Sequence, residues 1–311
     1  MDSPDRPGNS WFSVLMSLTV DVEEIYHDLW PPGEAKILEH YHYKPPRGTF
    51  LKPLRSILEL FNEYNVQSTF FVLGDVAEAF PEIVEEIHES GHEVASHGYM
   101  HTDLTKVPGD ELEKRETQHR SLLTKLTGEA PRGFRAPNFQ INTELLNIIE
   151  RIGYRYDSSV APSIRIPGWF GYYGAPLHPY NPSRQNLAKH SEMREFFEVP
   201  VAVFPYIRLP AGGGWFLRNL GVRYVKAAVR LLLGRGLPVI LYLHPLDVDA
   251  DVPNFEGLPF HVTRRCGEYA LEAIEEILKT FRDCAKVPVR EMLEELSGSS
   301  MGRSANRIAN G

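Results

Sequence analysis

Residues 66–95 read VQSTFFVLGDVAEAFPEIVEEIHESGHEVA, and this stretch decides the fold. The segment QSTFFVL is apolar and rich in aromatic and β-branched residues, which is typical of a buried strand. Pro81 then opens a segment with apolar residues at helical spacing, Gly91 can end that helix, and HEVAS is a second strand. Strand, helix and strand within one short stretch predict a parallel β/α unit.

The same alternation recurs along the chain. Helices are predicted from Asp110 to Thr127 and from Thr143 to Arg151, each followed by a glycine, and short strands lie near GFRAP and YRYDSS. Several units in tandem predict an α/β fold with a mainly parallel sheet, arranged as a distorted β/α barrel similar to a TIM barrel. Residues 1–297 are predicted to form this single domain, and 298–311 a disordered polar tail.

The composition is that of an ordinary enzyme, with 42% hydrophobic and 24% charged residues and a net charge of −8. The chain has no basic run that could neutralise a phosphate backbone, so nucleic acid is not a predicted partner. No apolar run approaches the roughly 20 residues that a membrane span needs, and no signal-peptide cleavage site is recognisable. Cys266 and Cys284 lack zinc-type spacing and are predicted to be reduced. We expect a cytoplasmic protein of undetermined oligomeric state.

Two carboxylates follow the first predicted strand, SLTVDVEE. Alternation along a strand puts Asp21 and Glu23 on one face and Val22 and Glu24 on the other. Two carboxylates on one face can share a metal and a proton. A pair of solvated acids at a strand end is the alternative interpretation.

Two histidines follow another strand, at ASHGYMH. Imidazoles four residues apart on a helical turn would lie about 5–6 Å apart, so His97 and His101 could bind one divalent cation together with a carboxylate. A chance spacing is the alternative, because His88 and His92 show the same interval. Those two straddle a predicted helix end, and we expect them at the surface or as capping residues.

Three more polar residues lie at predicted strand ends: Arg135 in GFRAPN, Asp157 in YRYDSS and His244 in VILYLHP. A guanidinium in this position can hold a carboxylate bidentately, although a surface salt bridge or a structural histidine would fit the same patterns. The triple glycine at 212–214 is predicted to be a loop that lets backbone approach a ligand. The motifs of serine hydrolases, nucleotide-binding P-loops and dinucleotide-binding folds are absent from the sequence.

In this order the clusters resemble the five motifs of the polysaccharide deacetylase family, which has NodB homology and is also called carbohydrate esterase family four. TFFVLG and GHEVASHG are also characteristic of that family. The chain also resembles a subgroup of that family associated with exopolysaccharide biosynthesis and exosortase gene clusters. The motifs that carry this resemblance are VDVE, YDSS, GGG followed by an aromatic residue, and YxHP. The matching positions are 19–22, His97 with His101, 135–137, Asp157 and 241–244.

The resemblance implies hydrolytic N-deacetylation of sugar residues in a polysaccharide or oligosaccharide, within exopolysaccharide biosynthesis. It implies that His97, His101 and Glu23 hold a divalent cation such as zinc. Val22 stands where the family has its second aspartate, so strand alternation makes Glu23 the natural replacement.

The resemblance also implies roles for the remaining site residues. Asp21 would be the base and His244 the acid on the opposite side of the reacting carbonyl. Arg135 would orient Asp21, Asp157 would orient His244, and a backbone N–H near Asn138 would stabilise the oxyanion. Aromatic residues on the irregular loops would stack on sugar rings, namely Trp169, Phe170, Tyr172, Tyr173, Trp215 and Phe216.

Two alternative functions stay open. One is a metal-free amidohydrolase that acts on a small cyclic amide, similar to allantoinase, which Val22 permits and the large aromatic loops argue against. The other is an inactive carbohydrate-binding homologue, which we would expect to lack Asp21 or His244. Both of these residues are present.

Overall fold

A curled parallel sheet forms the centre of the computed structural model, which describes residues 15–25, 48–166, 171–252 and 259–297. The strand order is β6-β5-β4-β3-β2-β1-β7, with β8 beside the first half of β1, and every strand pair is parallel. The strands are β1 (Leu15–Val22), β2 (Thr69–Val72), β3 (Glu93–Ser96), β4 (Gly133–Phe134), β5 (Tyr156–Asp157), β6 (Phe197–Glu198), β7 (Val239–Leu243) and β8 (Ala285–Lys286).

Helices connect the strands and cover the outside of the sheet. They are α1 (Leu51–Glu63), α2 (Gly74–Ala79), α3 (Pro81–Glu89), α4 (Gly109–Thr127), α5 (Thr143–Ile152), α6 (Gly214–Leu220), α7 (Val222–Leu233), α8 (Phe260–Thr263), α9 (Glu268–Thr280) and α10 (289–297). Pro81 begins α3, and glycines in the left-handed conformation end α4 and α5 at Gly128 and Gly153, as the sequence predicts.

The alternating side chains of β1 separate two layers of the core. Met16, Leu18, Val20 and Val22 pack against the helices in the largest apolar cluster. The intervening side chains point into the curled sheet, where a second cluster contains Phe71, Tyr156 and Tyr242. All eight residues of β1 are buried, because helices cover one face of the strand and the barrel interior covers the other.

The strand register brings the predicted polar residues to one edge of the sheet. Val22, Val72, Ser96, Phe134 and Asp157 lie side by side across five neighbouring strands. The residues that follow them are therefore level with one another at the carboxyl edge, and they include Glu23, His97 and Arg135. On the other side of β1, Leu243 pairs with Val20, which puts His244 level with Asp21.

An extended segment bridges the opening between β6 and β7. The Ala202 N–H donates to the carbonyl of Ile240 at 2.9 Å, and the Tyr242 N–H donates to that of Gly212 at 2.8 Å. A side chain at Gly213 would collide with the Tyr242 ring at 2.4 Å. The prediction that the triple glycine lets backbone approach a ligand is therefore wrong, because these glycines let backbone pack against β7.

The predicted α/β fold of distorted-barrel type is confirmed, and both predicted helices lie within one residue of their expected bounds. The sheet contains strands from the beginning and from the end of the described chain, which supports one domain. The tail at 298–311 lies outside the described residues.

None of the described helices combines the length and hydropathy needed to cross a bilayer. Both cysteines are free thiols, as expected.

The surface position predicted for His92 is wrong. Its ring is 4% exposed and lies 4.9 Å from the ring of Phe70 and 6.2 Å from that of Phe61. Burial lowers the pKa of His92 to about 4, from an ordinary value of 6.5. The side chain is a core residue that must stay uncharged in the folded protein.

Acidification should therefore destabilise the protein through His92. Below about pH 6.5 the unfolded chain binds a proton at this position that the folded chain does not bind, so stability falls as the pH drops toward 4. Between pH 7 and 5 this residue should cost about 2 kcal/mol, and His92→Leu should remove that part of the pH dependence. Urea unfolding at both pH values measures it. His88→Leu, which keeps His92, should retain the parental slope, and equal slopes for parent and His92→Leu would contradict the assignment.

Candidate metal centre and active site

A cavity of about 340 Å³ opens at the carboxyl edge of the sheet. Its lining contains seven of the residues that the sequence analysis singles out. The seven are Asp21, Glu23, His97, His101, Asn138, Trp215 and His244. The edge collects them because all strands are parallel and end on the same side.

Glu23, His97 and His101 converge on one point. Glu23 Oε2 lies 2.9 Å from His101 Nε2 and 3.6 Å from His97 Nε2, and one ligand atom from each residue lies within 4.8 Å of the others. Val22 packs on the helix side of the sheet, so the side chain after it turns into the cavity. The three residues offer two nitrogens and one carboxylate oxygen, a set that divalent zinc prefers.

The two imidazoles are brought together by a loop, not by the helical turn that the spacing suggested. β3 ends at Ser96, and residues 97–103 form bends in which Gly98 has a φ of +81°. The ring centroids of His97 and His101 nevertheless lie 5.6 Å apart. A loop folded back on itself gives the same separation that one helical turn would give.

Hydrogen bonds from two neighbouring helices hold this loop. The N–H groups of Gly74 and Asp75, at the start of α2, donate to the carbonyls of Gly98 and Tyr99 at 3.1 and 3.0 Å. The Tyr99 N–H donates to a carboxylate oxygen of Glu116 at 2.9 Å, and Glu116 is fully buried in α4. The backbone that carries both histidines is thus fixed from two sides.

The hydrogen bond at the other ring nitrogen of His97 suits it to bind a metal. Its Nδ1 lies 2.9 Å from the carbonyl oxygen of Arg135, which can only accept, so Nδ1 carries the hydrogen. In the neutral ring, Nε2 then has its lone pair directed toward Glu23. A lone pair and a carboxylate that face each other are held together by a proton or a metal cation shared between them. Glu23 Oε2 is buried and accepts no hydrogen bond of good geometry from the described residues, which also fits a metal ligand.

Glu23 is held in its charged form by the surrounding imidazoles. Burial alone raises its pKa, but attraction to His101, with further contributions from His97 and His244, outweighs burial. The net pKa lies well below the usual range for a glutamate. The carboxylate is therefore an anion, as a metal ligand must be.

Asp21 is paired with Arg135, as the sequence analysis expects. Arg135 Nη1 donates to Asp21 Oδ1 at 2.7 Å and to the hydroxyl of Thr19 at 2.8 Å, so the contact to the carboxylate is single rather than bidentate. Its remaining nitrogens donate to Ser158. Both members of the pair are at most 1% exposed. The second oxygen, Asp21 Oδ2, lies 3.8 Å from His244 Nε2.

This short distance changes the expected placement of Asp21 and His244. A carbonyl group does not fit between atoms 3.8 Å apart, so the two side chains do not face each other across a substrate. They lie side by side on one wall of the cavity, and His244 Nε2 is also 3.5 Å from Glu23 Oε1.

The carboxylate beside the other ring nitrogen of His244 is Asp247, not Asp157. Asp247 Oδ2 lies 3.6 Å from His244 Nδ1 and accepts the His244 backbone N–H at 2.8 Å. Arg218 donates to Asp247 Oδ1 at 2.6 Å. Burial alone raises the pKa of Asp247, but Arg218 and His244 lower it to about 2. The position beside His244 that was predicted for Asp157 is thus taken by Asp247, a residue that carried no strand-end signal.

Asp157 lies inside the barrel wall, in a cluster of its own. Its two oxygens accept the N–H and the hydroxyl of Ser159, at 3.1 and 2.6 Å, and its neighbour is the buried Glu198. Burial, and then repulsion from Asp157, raise the pKa of Glu198 well above its usual value. Glu198 Oε1 accepts the N–H of Val160 at 3.0 Å, which fixes that part of the backbone.

The backbone at Asn138 takes an unusual course beside the cavity. Asn138 and Phe139 both have positive φ values, of 52° and 56°. Such a conformation is uncommon for phenylalanine and tends to occur at functional sites. The role of the Asn138 N–H as an oxyanion donor stays a prediction.

The aromatic residues divide into lining and packing groups. Trp215 lines the cavity and donates from Nε1 to His261 Nδ1 at 3.1 Å. Tyr172 does not line it: its ring packs against the apolar cluster of α4 and α5, and its hydroxyl donates to the Ile141 carbonyl. Phe216 is buried, Tyr173 is exposed, and Trp169 and Phe170 lie outside the described residues.

Sequence reasoning missed several lining residues. Phe139 and Tyr242 form an aromatic floor, with ring centroids 4.7 Å apart. His261 lies on α8 and Arg218 lies on α6, so no strand-end pattern marks them. Strand alternation puts Tyr242 on the same face of β7 as His244, two residues later, and this is the signal by which the sequence marks the floor.

Two family models match the chain. Residues 52–156 match the polysaccharide deacetylase family, and residues 158–293 match a domain of unknown function, DUF3473. A peptidoglycan-N-acetylglucosamine deacetylase of Bacillus cereus is 40% identical over 94 residues, which are 30% of this chain and 34% of that protein. A chitooligosaccharide deacetylase of Azorhizobium caulinodans is 30% identical over 101 residues, 32% of this chain and 48% of that protein. The matches thus span a third to a half of these relatives.

Solved structures share the fold over nearly the whole chain. A structure assigned as a polysaccharide deacetylase from Mycobacterium smegmatis covers 96% of both chains with a TM-score of 0.60 and 20% identity. The allantoinase PuuE covers 94% of this chain and is itself covered to 93%, with a TM-score of 0.60 and 16% identity. At these identities the likeness concerns the fold alone.

Glu23 and Glu24 should behave differently when mutated. Glu23→Gln should weaken Zn²⁺ binding by more than about 100-fold, because it removes a carboxylate ligand of the metal. The loss of a residue that only hydrogen-bonds to a ligand costs about 10–100-fold in metal affinity. Glu24 accepts hydrogen bonds from Gly48 and Thr49 instead. Glu24→Gln should therefore leave Zn²⁺ affinity within a few-fold of the parent. Calorimetric titration of the two folded variants tests this, and equal losses would contradict the strand register.

Asp247→Asn should change the titration of His244. The substitution removes the negative charge beside Nδ1, so the imidazolium loses stabilisation and the ring should release its proton at lower pH than in the parent. NMR titration of the His244 resonances in metal-free protein measures this. Asp249→Asn serves as the control from the same loop. If Asp157→Asn produced the shift and Asp247→Asn did not, the assignment of the orienting carboxylate would be overturned.

Proposed function

Because residues 52–156 carry a polysaccharide deacetylase domain, we propose that the protein hydrolyses the acetamide bond of N-acetylated sugar residues in a polysaccharide or oligosaccharide. The observation that carries the proposal is the convergence of Glu23, His97 and His101 beside Asp21 and His244 in one cavity. This set combines a metal-binding face with two groups that can move protons.

The metal face has two imidazoles and one carboxylate. When bound there, a divalent cation such as zinc supplies Lewis acidity toward a carbonyl and toward water. The residues of the chain supply the rest: Arg135 fixes the tautomer and orientation of His97, and Glu116 fixes the loop. Three protein ligands leave coordination positions for water and substrate, as in catalytic zinc sites.

Asp21 is the proposed general base. Arg135 engages its Oδ1, which leaves Oδ2 at the cavity to accept a proton from the attacking water. The Arg135 guanidinium, 2.7 Å away, holds the buried Asp21 carboxylate in place at the end of β1. A positioned base of this kind contributes about 10²–10⁴-fold to the rate.

His244 is the proposed general acid, which protonates the leaving amine. An amide cannot be cleaved without this proton, because an amide anion is a very poor leaving group. Asp247 beside Nδ1 and the two carboxylates near Nε2 favour the imidazolium form. Since Asp21 and His244 share one wall, we propose that the scissile bond lies above this wall, with nitrogen toward His244.

Trp215, His261 and the aromatic floor of Phe139 and Tyr242 are proposed to bind the sugar ring. Aromatic faces stack on sugars, and the Trp215 indole is held in place by its hydrogen bond to His261. The role in exopolysaccharide biosynthesis stays a proposal that rests on the sequence resemblance alone. The cytoplasmic location stays an expectation from the sequence patterns.

A metal-free amidohydrolase similar to allantoinase is the second candidate, favoured by the likeness of fold to PuuE. The convergence of Glu23, His97 and His101 favours a metal-dependent enzyme instead. Activity should therefore be lost in a chelator such as EDTA and return with Zn²⁺ or Co²⁺. Full activity in EDTA, in protein shown by elemental analysis to contain no metal, would favour the second candidate.

Asp21→Asn and His244→Ala should each lower acetate release from N-acetylglucosamine oligomers by about 10²–10⁴-fold. Asp249→Asn and His178→Ala, which change the same residue types away from the cavity, are the controls. Activity against pH should be bell-shaped in the parent. Turnover within about threefold of the parent, under 1 kcal/mol of barrier, would remove that residue from the mechanism. Circular dichroism shows whether each variant is folded.

A further inference from the structure

One long segment of the chain contains no acidic residue. From Val199 to Leu246 the sequence has no Asp or Glu and six Lys or Arg, although the whole chain has a net charge of −8. With 41 acids in 311 residues, about six would be expected in a segment of this length. The segment includes α6, α7 and the turn at 204–208, so its positive charge is concentrated on one part of the surface.

Three arginines of this segment are exposed and lack an acidic partner. Arg223, Arg230 and Arg235 are in the exposed class and form no ion pair with the described residues. Several arginines on other parts of the surface do have an acidic partner, for example Arg55 with Glu86 and Arg151 with Glu113. The unpaired arginines therefore leave a positive field on this side of an acidic protein.

Two other cations of the segment are already engaged. Arg218 pairs with Asp247, and Lys226 pairs with Glu276 on α9. Their charges are balanced inside the protein or against the neighbouring helix. Arg208, the sixth cation, is half-buried and donates from Nη1 to the carbonyls of Pro162 and Ala175. The exposed cations of this segment without an acidic partner among the described residues are therefore Arg223 and Arg230 on α7 and Arg235, two residues after its end.

Exposed apolar side chains lie beside these arginines. Tyr206 and Ile207, at the tip of the turn, are 68% and 59% exposed, and Leu231 on α7 is 41% exposed. The Arg235 guanidinium lies 5.1 Å from the centroid of the Tyr206 ring, which joins the turn to the end of α7.

The arrangement of α7 makes these residues one surface. Arg223 and Arg230 are seven residues apart, so they lie on the same side of the helix, opposite the buried Val225 and Val229. The Phe204 and Tyr224 rings, 4.9 Å apart, anchor the turn against the helix. We call this surface the basic apolar face; it consists of Tyr206, Ile207, Arg223, Arg230, Leu231 and Arg235.

We propose that the basic apolar face docks on the surface of an anionic phospholipid bilayer. Lipid phosphates would pair with the arginines, and Ile207 and Leu231 would enter the boundary between headgroups and acyl chains. Tyr206 has the amphipathic ring that is typical of this interface. A glycan fits less well, because aliphatic Ile and Leu side chains neither stack on sugars nor hydrogen-bond to them.

Docking would bring the cavity close to the bilayer. The Ile164 N–H donates to the Arg208 carbonyl at 2.9 Å, which connects the turn to the segment whose Ile166 lines the cavity. Three charges and three apolar side chains give weak, reversible binding, so the protein would exchange between the surface and solution.

Sedimentation of the full chain with vesicles tests the proposal. Vesicles with about one third phosphatidylglycerol should bind the protein, pure phosphatidylcholine vesicles should bind it at least about 10-fold less, and 0.5 M salt should reverse binding. The triple variant Arg223→Gln, Arg230→Gln and Arg235→Gln should bind the anionic vesicles about 10–100-fold less tightly than the parent. The double variant Ile207→Ser and Leu231→Ser should also bind these vesicles less tightly.

A matched control makes the same change of charge on another surface. Arg55→Gln, Arg115→Gln and Arg151→Gln remove three exposed arginines that are paired with glutamates, and this variant should bind like the parent. Circular dichroism and deacetylase assays on soluble oligomers show whether all variants are intact. Absence of vesicle binding, equal losses in both triple variants, or binding of an acidic polysaccharide in preference to vesicles would overturn the proposal.

Discussion

The site depends on one buried ion pair, between Arg135 and Asp21. The guanidinium is fully buried inside the curled sheet, 4.1 Å from the centroid of the Phe71 ring, and it donates to Asp21, Thr19 and Ser158. It therefore joins the ends of β1, β4 and β5, three strands that no single helix connects. Removal of one partner from such a pair costs about 3–5 kcal/mol, because an uncompensated charge stays buried.

The charges around the cavity follow from this constraint. Asp21 and Asp247 each have an arginine of their own, Arg135 and Arg218, and both pairs are buried. Glu23 differs, because only imidazoles surround it. A carboxylate whose neighbours are rings that can give up their protons is the place where a divalent cation fits best. The pattern of fixed pairs thus distinguishes the proposed metal ligand, Glu23, from the proposed base, Asp21, and from Asp247, the neighbour of the proposed acid.

The predictions that held relied on short-range periodicity. The β/α alternation was recognisable because strands of a parallel sheet are buried on both faces and read as continuous apolar runs. Alternation along β1 assigned Val22 to the helix side and Asp21 and Glu23 to the interior, since the side-chain period of a strand is two. The strand-end positions of His97 and His244 followed from the same reasoning, because parallel strands end at one edge.

What the sequence determined by itself is the fold, the edge where the site lies and the side chains that reach it, because strand and helix periods are local properties. Only the tertiary structure decided which groups touch. Three findings depend on contacts between distant segments. They are the position of Asp247, not Asp157, beside His244, the packing of the glycines at 212–214 against β7, and the burial of His92. Periodicity cannot reveal such contacts, because they are set by strand register and by the closure of the barrel.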